Sequence, residues 1–356
     1  MRTRNHIGAN MQIADNLSFD LPCAYGFPPV DCVLRQTPED FQVEENLGFE
    51  PEGEGEHLWL WLEKRGVNTD QVARQLARIA GVRQGDVSYA GLKDRHAVTR
   101  QWFSIHLPKG DVEQAAQWHD AQWRILRAAK ARRKIRRGSL HGNRFLIALR
   151  DLRGELADLE ARLSNIARRG VPNYFGEQRF GHDNIERAEA MARGDLRVAD
   201  RHLRGIYLSS LRSALFNAVL ARRVRDNTWD LALGGEALNL DGSRSFFVAD
   251  IVDDVIRHRL ATGDIHPTGP LWGRGEPPSH GEALALELAV IGACPEIWKR
   301  ACCDAGMEQE RRKLRLAVQG LKWQWRDDGV LQLDFSLPAG AYATVVIREI
   351  AHSQGV

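Results

Sequence analysis

Hydrophobic and polar residues alternate along two segments in the first part of the chain. DFQVEE, from Asp40, places Phe41 and Val43 on one face, and HLWLWLEKRG, from His57, alternates leucine with tryptophan. A period of two is that of a β-strand, whose successive side chains point to opposite faces. We therefore predict two strands, the second with both faces partly buried.

The next segment, NTDQVARQLARIAGV, changes to helical spacing. Its apolar residues recur three or four positions apart, at Val72, Leu76 and Ile79. Asn68, with Gln71 three residues later, fits an N-cap, and Gly81 is typical of a helix end. The pattern predicts a helix that ends at Gly81.

Two more strands and a second helix follow. The strands are predicted in WFSIHL, from Trp102, as a half-buried strand, and in GNRFLIALRDL, from Gly142. The apolar residues that define these faces are Phe103, Ile105 and Leu107, then Phe145, Ile147 and Leu149, and for the helix Leu156, Leu159, Leu163 and Ile166. This mixture of strands and helices predicts an α+β fold.

The character of the chain changes near Gly170. A mainly helical, arginine-rich region runs to about Glu310, after which strand-like alternation returns and AYATVVIREI predicts a closing helix. With 356 residues the chain exceeds the length at which one core usually keeps growing. We predict one domain from residues 1–168 and 310–356, whose sheet the C-terminal segment rejoins, and an inserted domain at 169–309.

Composition is that of a folded protein, with 43% hydrophobic and 27% charged residues. The net charge is only +2, but the basic stretch Arg124–Arg137 contains eight basic residues and no acidic one. Such a stretch needs a negative counter-charge. A partner that carries phosphates is one source, and a solvated helix or hairpin face is the alternative.

Cysteine usage and hydropathy predict the compartment. None of the five cysteines lies in a C-x-x-C pair or at zinc-finger spacing, which indicates reduced thiols. The N-terminal residues contain no apolar run typical of a signal segment, and no later stretch approaches the roughly 18 apolar residues of a membrane span. We expect a cytoplasmic protein with no membrane contact.

The segment AGLKDRHAVTRQWFS carries the most distinctive candidate chemistry. It places Asp94 between Lys93 and Arg95. A carboxylate beside fixed cations stays ionised and can act as a nucleophile or a base. The alternative is a turn in which Asp94 only caps a backbone amide.

Three histidines, His96, His106 and His141, suggest a metal site or a catalytic triad, and His96, His106 and Asp94 would be the residues of a metal-dependent hydrolase that acts on nucleotides. No H-E-x-x-H, H-x-E or paired cysteines accompany them, and no G-x-S-x-G, Walker or G-x-G-x-x-G motif is present. We therefore expect no metal and no cofactor, and ordinary structural roles for these histidines.

Four separated blocks closely resemble the TruD family of pseudouridine synthases. They are AGLKDRHAVTRQWFS at 90–104, GNRF at 142–145, NYFGEQRFG at 173–181 and LPAGAYATVVIRE at 337–349. Their order and spacing also match, and the resemblance extends over nearly the whole chain from about Asp40. It implies a catalytic domain on a mixed, mainly antiparallel sheet, with an inserted α/β TRUD domain that forms a V-shaped cleft.

The resemblance also implies the reaction. It is the isomerisation of uridine at position 13 in the D arm of transfer RNA, without a cofactor. The family aspartate falls on Asp94, which would attack either the anomeric carbon of the ribose or the uracil ring. The base would then rotate and rejoin the ribose through carbon 5.

Further site residues follow from the family motifs. Phe41, Phe145 and Tyr342 would stack on the flipped base, with Tyr342 standing where many members have phenylalanine, and Asn143 would contact the uracil. Phe145 fits the hydrophobic core equally well, because it is in phase with its apolar neighbours. Asn143 also fits a turn.

The ion-pair partner of Asp94 stays open at this point. Lys93 and Arg95 are the first candidates, for this role and for substrate contacts, and Arg348 in a distant motif is another. In a strand Lys93 and Arg95 would point away from the face of Asp94, whereas a loop would free them to pair.

The expected partner is transfer RNA, bound by a monomer. The inserted region would hold the RNA backbone through arginines that also fit a solvated helix: Arg201, Arg204, Arg212, Arg222, Arg223 and Arg225. An RNA-binding protein without chemistry remains the alternative function, and removal of the Asp94 carboxylate would distinguish the two.

Overall fold

The computed structural model describes residues 21–181, 183–326 and 328–354, so the first 20 residues of the predicted first domain lie outside the described part. The strands are β1 Val30–Leu34, β2 Phe41–Asn46, β3 His57–Arg65, β4 Val87–Tyr89, β5 Val98–His106, β6 His119–Asp120, β7 Trp123–Ala131, β8 Gly142–Gly154, β9 Val171–Pro172, β10 Glu236–Leu240, β11 Phe246–Ala249, β12 Ile265–Leu271, β13 Glu310–Lys313, β14 Arg315–Leu316, β15 Gln319–Trp325, β16 Leu331–Pro338 and β17 His352–Gln354. The helices are α1 Thr69–Ala80, α2 Val112–Ala116, α3 Ala157–Arg169, α4 Asn184–Arg193, α5 Arg201–Arg225, α6 Asp254–Thr262, α7 Gly281–Ala293, α8 Glu296–Asp304 and α9 Ala343–Ile350.

The chain divides into two compact units. The first, here called the sheet unit, consists of Pro29–Ala161, Val318–Ala343 and the residues from Ala351 onward. The second, the helical unit, consists of Arg162–Ala317, Thr344–Ile350 and the segment that ends at Pro28. The domain boundaries predicted at 168/169 and 309/310 stay a prediction.

The sheet unit is built on one mixed sheet, which has eleven strands in the described residues. Its main order is β15-β16-β8-β2-β5-β3-β7-β6. β2 and β5 are parallel, whereas β8 pairs antiparallel with both β2 and β16. β1 pairs with β8 and also, in parallel, with β17. The prediction of an α+β fold with a mainly antiparallel sheet is confirmed, and the C-terminal strands β15 and β16 do rejoin this sheet.

The apolar pattern places most of the predicted core correctly. Phe41 and Val43 are buried on β2, and the leucines of β3 are fully buried. In α1, Val72 and Leu76 are buried and Gly81 closes the helix at φ 67°. Ile79 is exposed, so its assignment to the buried face was wrong.

Strand β5 is buried on both faces, and its prediction as a half-buried strand was wrong. Phe103 and Ile105 enter one core together with α1. Trp102 packs on the opposite face against Trp59 and Trp61, at ring-centroid distances of 5.7 and 5.3 Å. A central strand covered on both sides has no solvent-facing side, whatever its alternation suggests.

The helical unit also contains strands that the sequence pattern did not predict. They form an antiparallel sheet in the order β11-β10-β12-β13, and β9 pairs with β14. β12 has the sequence IHPTGPL, in which proline and glycine mask a strand from a pattern-based prediction. In the described part of the chain, no helix is both long and apolar enough to span a bilayer.

Candidate active site

Asp94 lies in the loop at 90–97 that joins β4 to β5. Its side chain is 27% exposed. Oδ1 accepts a hydrogen bond of 2.9 Å from the backbone N–H of His96, which is the capping role that the sequence left open. The other oxygen is not used by the turn. The carboxylate is therefore anchored at one oxygen and remains accessible.

Arg35 is the cation that pairs with Asp94. Its Nη2 lies 3.2 Å from Oδ2 of Asp94, and its guanidinium lies 4.1 Å from the ring centre of Phe41. Arg35 directly follows β1 and has a φ of 60°, a left-handed conformation that non-glycine residues seldom adopt. Its Nε is buried and has no hydrogen-bond partner among the described residues. A strained backbone thus holds a cation between the carboxylate and an aromatic ring.

The prediction that Lys93 or Arg95 pairs with Asp94 was wrong. Lys93 Nζ lies 2.8 Å from Oε1 of Glu45 on β2, and both side chains are buried. Arg95 is exposed and forms no ion pair within the described residues. Lys93 is already engaged by Glu45, and the second carboxylate oxygen of Asp94 is taken by Arg35, which comes from a distant segment. Arg348, the third candidate, instead donates to the backbone carbonyl of Leu21.

Lys64 holds the backbone of the Asp94 loop. Its Nζ donates to the carbonyl oxygen of Asp94 at 2.8 Å, to that of Val67 at 2.9 Å and to that of Lys93 at 3.4 Å. The side chain is fully buried. Burial lowers the pKa of Lys64 to about 8, and the negative charge of Asp94 opposes this shift.

Two polar side chains complete the support of this loop. The Thr69 hydroxyl accepts from the backbone N–H of Lys93 at 3.0 Å and donates to Gln101 Oε1 at 3.1 Å. Gln101 Nε2 donates to the carbonyl of Gly91 at 3.1 Å. These groups are buried, where an unpaired polar atom is costly. The loop therefore has a defined position relative to β3, α1 and β5.

Asn143 stands beside the Lys93–Glu45 ion pair on the sheet. It is the register partner of Glu45 across β8 and β2, and directly opposed residues share a face. Its Oδ1 is buried and has no hydrogen-bond partner among the described residues. Asn143 therefore lies next to Glu45 with one amide acceptor that no described residue uses.

Phe41 and Phe145 form a buried aromatic cluster with Phe335. Phe145 stacks on Phe335 with ring centres 5.5 Å apart and meets Phe41 edge to face at 6.2 Å. Arg35 already covers a face of Phe41. Tyr342, directly before α9, is only half-buried. Phe145 therefore lies in the hydrophobic core, which was one of the two positions that its place in the apolar alternation predicted.

The three histidines do not converge on Asp94. His96 and His141 are exposed, and His106 lies 3.6 Å from Glu56 on the rim of β5. Within the ranges that the structure describes, no three histidine, cysteine or carboxylate side chains are grouped so that they could hold a metal ion. The donor set of a metal-dependent hydrolase is therefore not assembled around His96, His106 and Asp94.

The basic stretch finds counter-charges inside the chain. Arg127 pairs with Glu50 at 2.7 Å, Arg124 with Glu63 at 2.9 Å, and Arg132 with Glu54. Most of these side chains are exposed, so they resemble the solvated hairpin face that was the alternative to phosphate binding. A phosphate partner is not required to explain this stretch.

Two of the arginines expected to hold RNA have structural roles instead. Arg223 is fully buried against Glu236, with its Nη2 3.1 Å from Oε2. Arg212 donates to backbone carbonyls, including that of Leu271 at 2.9 Å. Arg222 pairs with Asp226 one helical turn away. Because most of α5 is buried within its unit, some of its charged side chains are buried too, and the sequence alone does not show which ones.

Sequence reasoning missed Arg35, Lys64, Glu45 and Thr69. Lys64 and Glu45 carried a usable signal, since each is a charged residue at a buried phase of a strand and must therefore find a partner. Arg35 carried none, because its role depends on a backbone conformation and on a loop far away in the sequence.

Comparisons with known proteins identify the family of this chain. The family model described as tRNA pseudouridine synthase D (TruD) matches residues 23–199 and 183–350. A protein of that name from Pseudomonas aeruginosa is 51% identical over 343 residues, which cover 96% of each chain. One from Xanthomonas euvesicatoria is 47% identical over 346 residues, covering 93% of this chain and 94% of the relative.

A solved structure supports the fold. A crystal structure from Methanosarcina mazei, described as tRNA pseudouridine synthase D, superimposes with a TM-score of 0.74 at 21% identity and covers 94% of this chain and 96% of its own. At this identity the likeness concerns the fold alone. The family match and the curated relatives together show that the chain belongs to the TruD family of tRNA pseudouridine synthases.

Proposed function

We propose that this protein isomerises uridine to pseudouridine in transfer RNA, at position 13 of the D arm, with Asp94 as the nucleophile. The observation that carries the proposal is the Asp94 carboxylate itself. It is accessible, it pairs with Arg35 at 3.2 Å, and its loop is fixed by Lys64. A carboxylate held in one position loses little entropy when it attacks a substrate.

The proposed reaction needs no redox step. Asp94 attacks either the anomeric carbon, which displaces the uracil as an anion, or carbon 6 of the uracil ring, after which the glycosidic bond between N1 and the anomeric carbon breaks. The base rotates, carbon 5 bonds to the anomeric carbon, and the bond from Asp94 to the ribose or to the ring breaks. Carbon 5 then loses its proton to solvent and N1 gains one. The alternatives differ in the first bond formed, and both regenerate the free carboxylate.

The uridine must leave the RNA stack before it can reach Asp94, which costs a few kcal/mol. We assign Tyr342 to stacking on the flipped base, because its ring is half-buried. Phe41 and Phe145 form the apolar floor beneath Arg35. Asn143 offers its unpartnered Oδ1 to the N3–H group of uracil.

The flanking cations have different proposed roles. Lys93 positions the loop through its buried ion pair with Glu45. Arg95 is exposed and suited to a phosphate of the RNA backbone. We further propose that the protein works as a monomer in the cytoplasm, because Arg35, Lys64 and Asp94 all belong to one compact unit. The cysteines of the described residues are free thiols, which fits a reducing compartment.

Tritium release from transfer RNA labelled at carbon 5 of uridine tests the proposal. The wild-type protein, in EDTA, is expected to release tritium, and Asp94→Asn is expected to release none while binding the RNA with unchanged affinity. Asp195→Asn, an exposed aspartate on the helical unit, is the matched control and should keep full activity. Binding without release by the wild type would instead support an RNA-binding protein without chemistry.

A further inference from the structure

The helical unit contains a cavity that the proposed reaction does not use. Its volume is about 710 Å³, within the range of small-molecule sites. The end of α3, the loop at 230–234, α6, the start of α7 and β14 contribute to its wall. All of these elements belong to the unit that does not contain Asp94.

Positive charge predominates in the cavity wall. Four arginines, Arg168, Arg169, Arg257 and Arg315, face two carboxylates, Asp230 and Glu282. Asp230 is already neutralised, because Arg169 holds it with hydrogen bonds of 2.9 and 3.1 Å. Arg257 is exposed and shares its charge with Asp254, outside the wall. Among the charged residues of the wall, Arg168 and Arg315 remain, and Glu282 is the carboxylate left to balance their two positive charges.

Arg315 is the group that most needs a ligand. It is only 8% exposed, yet it forms no ion pair with any described residue. Its Nη1 donates to the carbonyl of Leu260 at 2.8 Å, and its buried Nε has no hydrogen-bond partner there. Burial lowers the pKa of Arg315, as expected for a cation without full compensation. The carboxylates of Asp230 and Asp241 favour its charged form without forming an ion pair with it. A buried cation without a direct anionic partner is costly, and an anion in the cavity would relieve this cost.

The rest of the wall is apolar. Leu231, Leu233, Val252 and Leu260 line it, and Leu231 is 51% exposed at the protein surface. A planar apolar group fits such a surface, and a phosphate fits the fork of an arginine. A nucleotide combines the two chemistries in one ligand.

We propose that this cavity binds one unpaired nucleotide of the RNA substrate, with its phosphate on Arg315 and its base on the leucine surface. The RNA origin of the nucleotide rests on the proposed function. The site would add affinity for folded RNA at a point away from the reacting uridine, without contributing a catalytic group.

Binding and kinetics of the full chain test the proposal with two variants. Arg315→Met removes the charge and keeps the volume, and Leu231→Asp places a negative charge at the exposed rim. Arg315→Met is expected to raise the Kd for a transfer RNA transcript about tenfold, the effect of losing one charge-assisted hydrogen bond. Leu231→Asp is expected to raise it by about the same factor, because its carboxylate repels the phosphate of the RNA. Arg315→Met should also reduce the slope of log Kd against log salt by about one.

The kcat for tritium release at saturating RNA should stay within about twofold, because the lost contact is equal in ground and transition states. Arg244→Met, an exposed arginine outside the cavity, is the control and should bind RNA normally. Thermal melts check folding. If Arg315→Met fails to fold, the RNA affinity of Leu231→Asp tests the proposal, because a substitution at this half-exposed position should leave the fold intact.

Three outcomes separate this proposal from the proposed function. Wild-type affinity and salt slope in both variants, with no binding of free UMP by the wild type, would overturn the nucleotide site while leaving the isomerase intact. Loss of RNA affinity in the variants, with no tritium release by the wild type, would support the site and contradict the isomerase. Binding of free UMP that is lost in the variants, with unchanged RNA affinity, would overturn the RNA assignment in favour of a free nucleotide.

Discussion

The guanidinium of Arg35 lies 3.2 Å from the Asp94 carboxylate while it covers the ring of Phe41. The two residues come from different segments, one directly after β1 and the other in the loop before β5. This contact holds the carboxylate oxygen that the backbone N–H of His96 does not bind, while the same guanidinium covers a face of Phe41.

Replacement of Arg35 by methionine is expected to lower kcat about 100-fold, the usual cost of a misplaced reacting group. The ion pair is lost, so Asp94 keeps only the hydrogen bond from His96. The Kd for RNA should change little. Multiple-turnover tritium release at saturating RNA measures kcat, and filter binding measures Kd. Arg65→Met, which breaks an exposed ion pair with Glu39, is the control, and an unchanged kcat in Arg35→Met would refute the role of this contact.

Lys64→Met should destabilise the protein by about 3 kcal/mol and also reduce kcat, because buried carbonyls of Val67 and Asp94 lose their donor. Urea unfolding gives the stability change, and tritium release gives kcat. An equal kcat in both proteins, at a temperature where both are folded, would restrict Lys64 to a purely structural role.

The pH dependence of the free energy of unfolding tests the lowered pKa of Lys64. The pKa of Lys64 is about 8 in the folded state, below its ordinary value of 10.5. Between these values the unfolded chain binds the proton and the folded one does not, so the contribution of Lys64 to stability rises with pH across this window. We expect the difference in the free energy of unfolding between the wild type and Lys64→Met to rise between pH 8 and 10.5, as measured by urea titrations at each pH. A flat difference would contradict the lowered pKa.

Arg223→Met should destabilise the helical unit by roughly 3 to 5 kcal/mol, because the buried carboxylate of Glu236 loses its partner. The neighbouring Arg222→Met removes only an exposed pair with Asp226 and should cost less than about 1 kcal/mol. Thermal unfolding of both variants gives the comparison. Similar stabilities in the two would show that Arg223 is not the structural residue that its burial indicates.

Sequence patterning was sufficient for much of the fold, since period-two and helical apolar spacing reflect which face is buried. It identified β2, β3, β5, β8, α1 and the return of the C-terminal strands to the sheet. It failed for β12, where proline and glycine interrupt the pattern, and for the outer face of β5, which tryptophans cover.

The sequence by itself determined the family and singled out Asp94, because four long motifs in the right order are local features of the chain. Only the tertiary structure decided what surrounds Asp94. Arg35 replaced Lys93 and Arg95 as its partner, and Lys64 emerged as the support of its loop. Ion pairs and buried hydrogen bonds depend on distances between segments remote in sequence, and those distances exist only once the sheet has assembled.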